Sequence, residues 1–129
     1  MNWIERLEHH IADTPKQTAL EWLDTDGATA AATTYAELGA AVNAAASHLL
    51  ALGVSPGDRV ALCLSKSPAF ACYHLAVLQL GCVSLPLNPD YTADEVRYYL
   101  EDSAAAVLLL DQTTAHLSES LREFSLYLV

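Results

Sequence analysis

Apolar and polar positions along the chain alternate between a helical period and unbroken apolar runs, with turn residues at each switch. Asn2, with Glu5 three positions on, reads as a helix start. Ile4, Leu7 and Ile11 recur on one face, and Thr14-Pro15 ends the segment. From Ala19 to Leu23 the period drops to two, with Leu20 and Trp22 on one side and Glu21 on the other, which predicts a half-exposed strand. Asp24-Thr25-Asp26-Gly27 predicts a hairpin turn into a short Ala/Thr strand. Thr34-Tyr35-Ala36-Glu37 is a capping box, in which hydroxyl and carboxylate satisfy backbone donors at a helix start. Leu38, Val42, Ala45, Leu49 and Leu52 follow at helical spacing, and Gly53 supplies a left-handed stop.

The second half repeats this grammar. Ser55-Pro56-Gly57-Asp58 has a turn's chemistry, and Val60 to Leu64 is an apolar run of the kind covered on both faces of a sheet. Ser67-Pro68 starts a helix running to about Gly81, followed by a buried strand from Val83 to Leu87. Thr92-Ala93-Asp94-Glu95 is a second capping box, with Tyr91 and Val96 placed as a hydrophobic staple. Val107 to Leu110 is another apolar strand, and a last helix is predicted with Leu117, Leu121 and Phe124 on one face. Ser125 to Val129 reads as the beginning of one more strand. Strands alternating with capped helices predict an α/β, three-layer fold, with Val60, Val83 and Val107 in one mostly parallel sheet. No linker divides residues 1–129, so they read as a single subdomain. The apolar strand at the end suggests that it is an incomplete part of something larger.

Charge narrows the partners. Sixteen acids against 6 bases give a net charge of -10, shared evenly between the halves. No basic patch exists to meet phosphate backbones, so neither nucleic acid nor an anionic membrane surface is an expected partner. The 23 positions between Lys66 and Asp90 carry no formal charge, but His74, Gln79, Gly81 and Pro86 interrupt them, so no membrane span is expected. Cys63, Cys72 and Cys82 are odd in number and show no Cys-x-x-Cys spacing, which suits buried thiols in a reducing cytoplasm.

Motifs for chemistry are missing. There is no G-x-G-x-x-G, no G-x-x-x-x-G-K-[ST] and no G-x-S-x-G. Asp111 follows a strand, but the strand at Val60 lacks the acidic pair of a phosphoacceptor site. His9 and His10 are adjacent and diverge by about 100° on a helix, so they cannot share one ion. His74 reads as a hydrogen-bonded core residue rather than a base. Glu101-Asp102 reads as a solvated helix end, and Arg59 as a structural contact. No residue is assigned a catalytic, cofactor-binding or metal-binding role.

Taken in order, five segments carry a resemblance. Thr34-Tyr35-Ala36-Glu37-Leu38 opens a helix ending at Leu52-Gly53-Val54, and Pro56-Gly57-Asp58-Arg59-Val60 follows. A helix then finishes Leu75-Ala76-Val77-Leu78-Gln79-Leu80-Gly81, before Leu85-Pro86-Leu87-Asn88-Pro89 and the stretch from Thr92 to Asp102 in the order E-x-x-Y-x-L-E-D-S. From about Trp3 to Asp111 the chain resembles the N-terminal part of the adenylate-forming superfamily of acyl-CoA synthetases, peptide-synthetase adenylation domains and luciferases. Ala44 departs from the family's common arginine, and Cys82 from its usual alanine. Lys66-Ser67, Leu85 to Asn88 and Tyr91-Thr92 are similar to malonyl-CoA synthetases in particular.

The resemblance implies a two-step ligase. A carboxylate attacks the α-phosphate of ATP, and a thiol, usually coenzyme A, then takes the acyl group, with magnesium offsetting phosphate charge. The family's lysine-ended phosphate loop, its Tyr-x-Thr-Glu segment, its ribose-binding aspartate and its mobile-domain lysine match nothing here. The chain alone is therefore expected to bind no cofactor and to be inactive. Its partner is expected to be the remainder of the ligase, or another copy joined through the C-terminal end. Two other readings stay open: a stand-alone module that binds a partner or completes a split synthetase, and a small binding protein whose likeness is ancestral.

Overall fold

The computed structural model describes residues 2–129, and the absences stated below refer to those residues. The chain opens with α1 (Trp3–Asp13), started by the reciprocal capping box of Asn2 and Glu5. β1 (Thr18–Leu23) and β2 (Thr29–Thr34) pair antiparallel as the predicted hairpin. Its turn closes by Gly27 N donating to Asp24 O, with Gly27 at φ +81°. α2 (Tyr35–Ala51) follows from the Thr34 and Glu37 capping box.

A complete Schellman arrangement ends α2. Gly53 N donates to Leu50 O and Val54 N to Leu49 O, with Gly53 at φ +84°. β3 (Arg59–Cys63) leads to α3 (Pro68–Gln79), which Ser67 caps and Pro68 begins. α3 ends as α2 does, through Gly81 N to Leu78 O and Cys82 N to Val77 O. These stops return each helix to the sheet without an orphaned carbonyl pair. β4 (Val83–Pro86), α4 (Ala93–Ser103), β5 (Val107–Leu110) and β6 (Leu126–Leu128) complete the chain.

β3 to β6 form one parallel sheet in the order β4-β3-β5-β6. The strands at Val60, Val83 and Val107 therefore share a sheet, as expected. α2 and α3 cover one face, where Leu49, Val77, Val60, Leu62 and Leu109 pack together. α4 covers the other face, where Val96 and Leu100 meet Ala61, Cys63, Leu108 and Leu110. Both faces of β3 and β5 are thus buried, which is why those two strands read as continuous apolar runs.

Two expectations are corrected. The last helix does not form: a single 3₁₀ turn, Ala115–Leu117, is followed by turns held by bonds three residues apart, such as Leu121 N to Ser118 O. Leu117 and Leu121 are buried all the same, and Phe124 packs beside them. The apolar spacing reports the buried face, while Ser118 turns its hydroxyl to Ala115 O and favours a turn over helix. The strand at Val83 is also not covered on both sides: it lies at an edge, and Val83 is 50% exposed.

Gly39 sits inside a helix, where neither a turn nor a helix end accounts for a glycine. It lies where α1 crosses α2, and a Cβ there would stand 2.8 Å from Ile11 Cδ1. The Ile11 side chain of α1 packs directly on the bare α2 backbone there, which accounts for the glycine.

Candidate functional site

In parallel α/β sheets, ligands bind outside the carboxyl ends of the strands. Two adjoining clefts open there. The larger, about 730 Å³, is lined by Leu64, Phe70, Pro86, Leu87 and Pro89, with Lys66, Asn88 and Asp90 at its polar side. The smaller, about 250 Å³, is lined by Ser67, Gln112, Thr113 and Val129 around Asp111. Ser65 borders both. The walls are the segments leaving β3, β4 and β5, so the sheet order places them side by side.

Asp111 ties these segments together. Its Oδ2 accepts from Ser65 N and Ser65 Oγ, each at 2.7 Å. Its Oδ1 accepts from Thr113 N at 2.9 Å and Thr113 Oγ1 at 2.6 Å. Thr114, fully buried, donates from Oγ1 to Cys63 O at 2.7 Å and accepts from Asp111 N at 3.0 Å. Burial opposes the Asp111 charge, but the hydrogen bonds from Thr113 and Ser65 outweigh it and hold the carboxyl well below the usual carboxylate range. Burial, with the Asp111 charge adding to it, pushes the nearby Cys63 thiol up to about 11. That thiol is no nucleophile at neutral pH.

This arrangement is suited to shaping a cleft rather than to chemistry. Both Asp111 oxygens are occupied by donors, so the carboxylate has little capacity left for a metal. No group of three His, Cys, Asp or Glu among the described residues could hold an ion. Lys66 is the one cation among the cleft-lining side chains. The residues present therefore do not fit a magnesium–ATP site by themselves.

The other residues weighed from sequence lie apart from one another. His9 faces Asp13 at 3.1 Å, while His10 stacks on Tyr35 with ring centroids 5.0 Å apart. His74 shares a 2.8 Å hydrogen bond with Ser84 Oγ and stacks on Phe70, so it is hydrogen-bonded as expected, but it is half-buried rather than a core residue. Arg59 Nη1 donates to Ser103 O at 2.7 Å, a structural contact as expected. Glu101 and Asp102 are exposed at the end of α4. Sequence reasoning overlooked the Ser65–Asp111–Thr114 junction. Its only local signal was Asp-x-Thr-Thr after a strand, the pattern of side chains that bond their own backbone.

No helix among the described residues is long and apolar enough to cross a membrane. The chain matches the family model described as AMP-binding enzyme over residues 7–127. A linear gramicidin synthase protein of Brevibacillus parabrevis is 35% identical over 117 residues, covering 91% of this chain and 1% of that protein. The long-chain-fatty-acid–CoA ligase FadD13 of Mycobacterium tuberculosis is 37% identical over 89 residues, 69% of this chain and 18% of that protein. The crystal structure of the N-terminal domain of FACL13 from the same organism superposes with a TM-score of 0.81 at 29% identity, covering 95% of this chain and 30% of that one. The chain thus spans less than a fifth of the length of either curated relative. With capped helices, a parallel sheet and a match from residue 7 to residue 127, this chain belongs to the AMP-binding enzyme family and has the fold of part of the N-terminal domain of acyl-CoA synthetases.

Proposed function

We propose that this chain is the N-terminal portion of an AMP-forming acyl-CoA synthetase, and that alone it activates no carboxylic acid. In the longer enzyme, ATP and a carboxylic acid would give an acyl-adenylate, and coenzyme A would then take the acyl group. ATP, magnesium and coenzyme A belong to that whole enzyme. The observation that carries the reading is the pairing of a match over 69–95% of this chain with a small share of each relative. The cleft supports it: Asp111 is engaged, Lys66 is the lone cation, and electrostatic stabilisation of transferring phosphate needs more than that.

The role left to these 129 residues is scaffold. They set β3, β4 and β5 side by side and hold the loops at their carboxyl ends in fixed positions. The partner is the remainder of the ligase. The test is acid-dependent exchange of pyrophosphate into ATP, with protein freed of host synthetases. The isolated chain is expected to show none above a no-enzyme control. Exchange that tracks the purified 129-residue protein would overturn the proposal.

A second reading, a stand-alone module that completes a separately encoded synthetase half, is favoured by the core being closed on both faces of β3 and β5 within this chain. The DNA after codon 129 separates the two, through the presence or absence of a Thr/Ser/Gly-rich phosphate loop ending in lysine.

A further inference from the structure

α4 buries Val96 and Leu100 against the sheet, and Tyr99 packs beside them with Tyr91. Tyr98 lies on the opposite side of the helix and is 62% exposed. Its ring is held in place from behind. Tyr99 stacks on Tyr91 at 5.4 Å between centroids and 12° between planes, and Tyr98 meets Tyr99 at 5.4 Å and 78°. The two nearly perpendicular rings form a corner whose inner member is anchored to the core. Acids flank this corner. Asp94 and Glu95 lie one turn before Tyr98 on its side of the helix, Glu101 and Asp102 one turn after, and all four are exposed. Arg97, the single base of the helix, holds Asp94 at 2.7 Å but is drawn aside to Glu123 Oε1 at 2.9 Å and to Ser120 O. No base stands in the last turn, where the helix carbonyls add negative potential to Glu101 and Asp102. Arg59 answers one of those carbonyls, Ser103 O.

We propose that the outer face of α4 docks an extended segment of another protein, one carrying two arginines about three positions apart. Arginine matches both parts of the face, because its planar cation stacks on aromatic rings and pairs with carboxylates. Asp94 and Glu101 are seven positions apart, as are Glu95 and Asp102, which is about 10 Å along the helix. An extended chain covers that length in about three residues. One guanidinium then faces each acid pair, with Tyr98 between them. Tyrosine and arginine are among the residues that dominate the energetics of protein interfaces.

Charge selects this occupant. A second copy has no such segment, since the bases closest in sequence, Arg59 and Lys66, lie seven positions apart. A lone metal ion does not fit, because no group of three ligating side chains among the described residues could hold one. Apolar polypeptide laid over this face would bury four carboxylates without matched bases, which is strongly unfavourable. The inference does not rest on the ligase reading, because it draws only on α4 and its surface.

The experiment titrates the 129-residue chain, and the uninterrupted gene product beside it, with the synthetic peptide Gly-Arg-Ser-Gly-Arg-Gly. Affinity is read by fluorescence anisotropy of the labelled peptide, and the contact face by NMR shifts in the 129-residue chain. The shifts are expected to centre on Tyr98, Tyr99 and Glu101, and affinity to fall as salt rises. Tyr98→Ala is expected to weaken binding about five-fold while leaving the melting temperature unchanged, and Tyr98→Phe to keep the affinity. Glu101→Gln combined with Asp102→Asn is expected to weaken binding by about five-fold as well. No binding would overturn the inference, as would equal binding by wild type and Tyr98→Ala, or shifts centred elsewhere. So would spermidine binding as tightly as the peptide, since a small polycation would then be the occupant. Loss of peptide binding in the longer protein would also overturn it, because later polypeptide would then cover the face.

Discussion

Replacing Asp111 with asparagine keeps the side chain's shape and removes its charge. The carboxylate accepts four hydrogen bonds, two from Ser65 and two from Thr113, all between 2.6 and 2.9 Å. Charge-assisted bonds contribute about 1.5–3 kcal/mol each when broken singly. They are not additive here, because the site is only half-buried and water can reach released donors. The asparagine still accepts through its oxygen, but it turns an NH₂ group toward other donors. A loss of about 2–4 kcal/mol follows. For a chain of this size that lowers the melting temperature by roughly 10 °C.

The pH dependence gives the sharper test. The folded-state carboxyl lies below its unfolded value. Its contribution is therefore fully present above the unfolded pKa of about 3.9 and is lost as pH falls through the folded one. Urea unfolding of wild type and Asp111→Asn should differ most at pH 6–7, and the gap should narrow steadily below about pH 4. A gap under about 0.5 kcal/mol at pH 7, or one unchanged between pH 6 and pH 2, would show that the network does not hold the strand ends.

Four further outcomes are expected. Leu62→Ala, in a fully buried residue of the central strand β3, should cost about 2–5 kcal/mol by chemical denaturation. Thr34→Ala should cost about 1 kcal/mol by loss of the α2 cap, and Thr34→Ser close to nothing. Gly39→Val should destabilise by about 1–3 kcal/mol through its clash with Ile11; a double-mutant cycle with Ile11→Ala should recover part of that, and strict additivity would argue against the contact. Among the thiols, half-buried Cys72 should react first with a disulfide reagent, ahead of Cys63 and Cys82, which are buried; Cys63 reacting first would contradict both its burial and its raised pKa.

Local signals told most about where elements start and stop. Capping boxes at Asn2, Thr34 and Thr92 and the glycines at 53 and 81 act through bonds within five residues, so neighbours in sequence suffice to read them. Burial on both faces showed equally clearly in Val60 to Leu64 and Val107 to Leu110, because a strand with no wet side leaves no polar position. The helix expected over Leu117 to Phe124 failed for the converse reason: spacing reports which side chains are buried, and a series of turns can bury them as well as a helix.

Sheet order was not readable in this way. Whether Val83 to Pro86 or Leu126 to Leu128 lies inside or at an edge depends on which strands neighbour it, and that is settled by crossovers packing over the whole sheet. The cleft belongs to the same class. Ser65 and Asp111 lie 46 residues apart, and the Asp-x-Thr-Thr pattern at Asp111 says nothing of Ser65; they meet because β3 and β5 are neighbours in register, Cys63 beside Leu110. Hydrogen bonds of short reach write themselves into local sequence, whereas those that join distant strand ends exist only once the sheet has assembled.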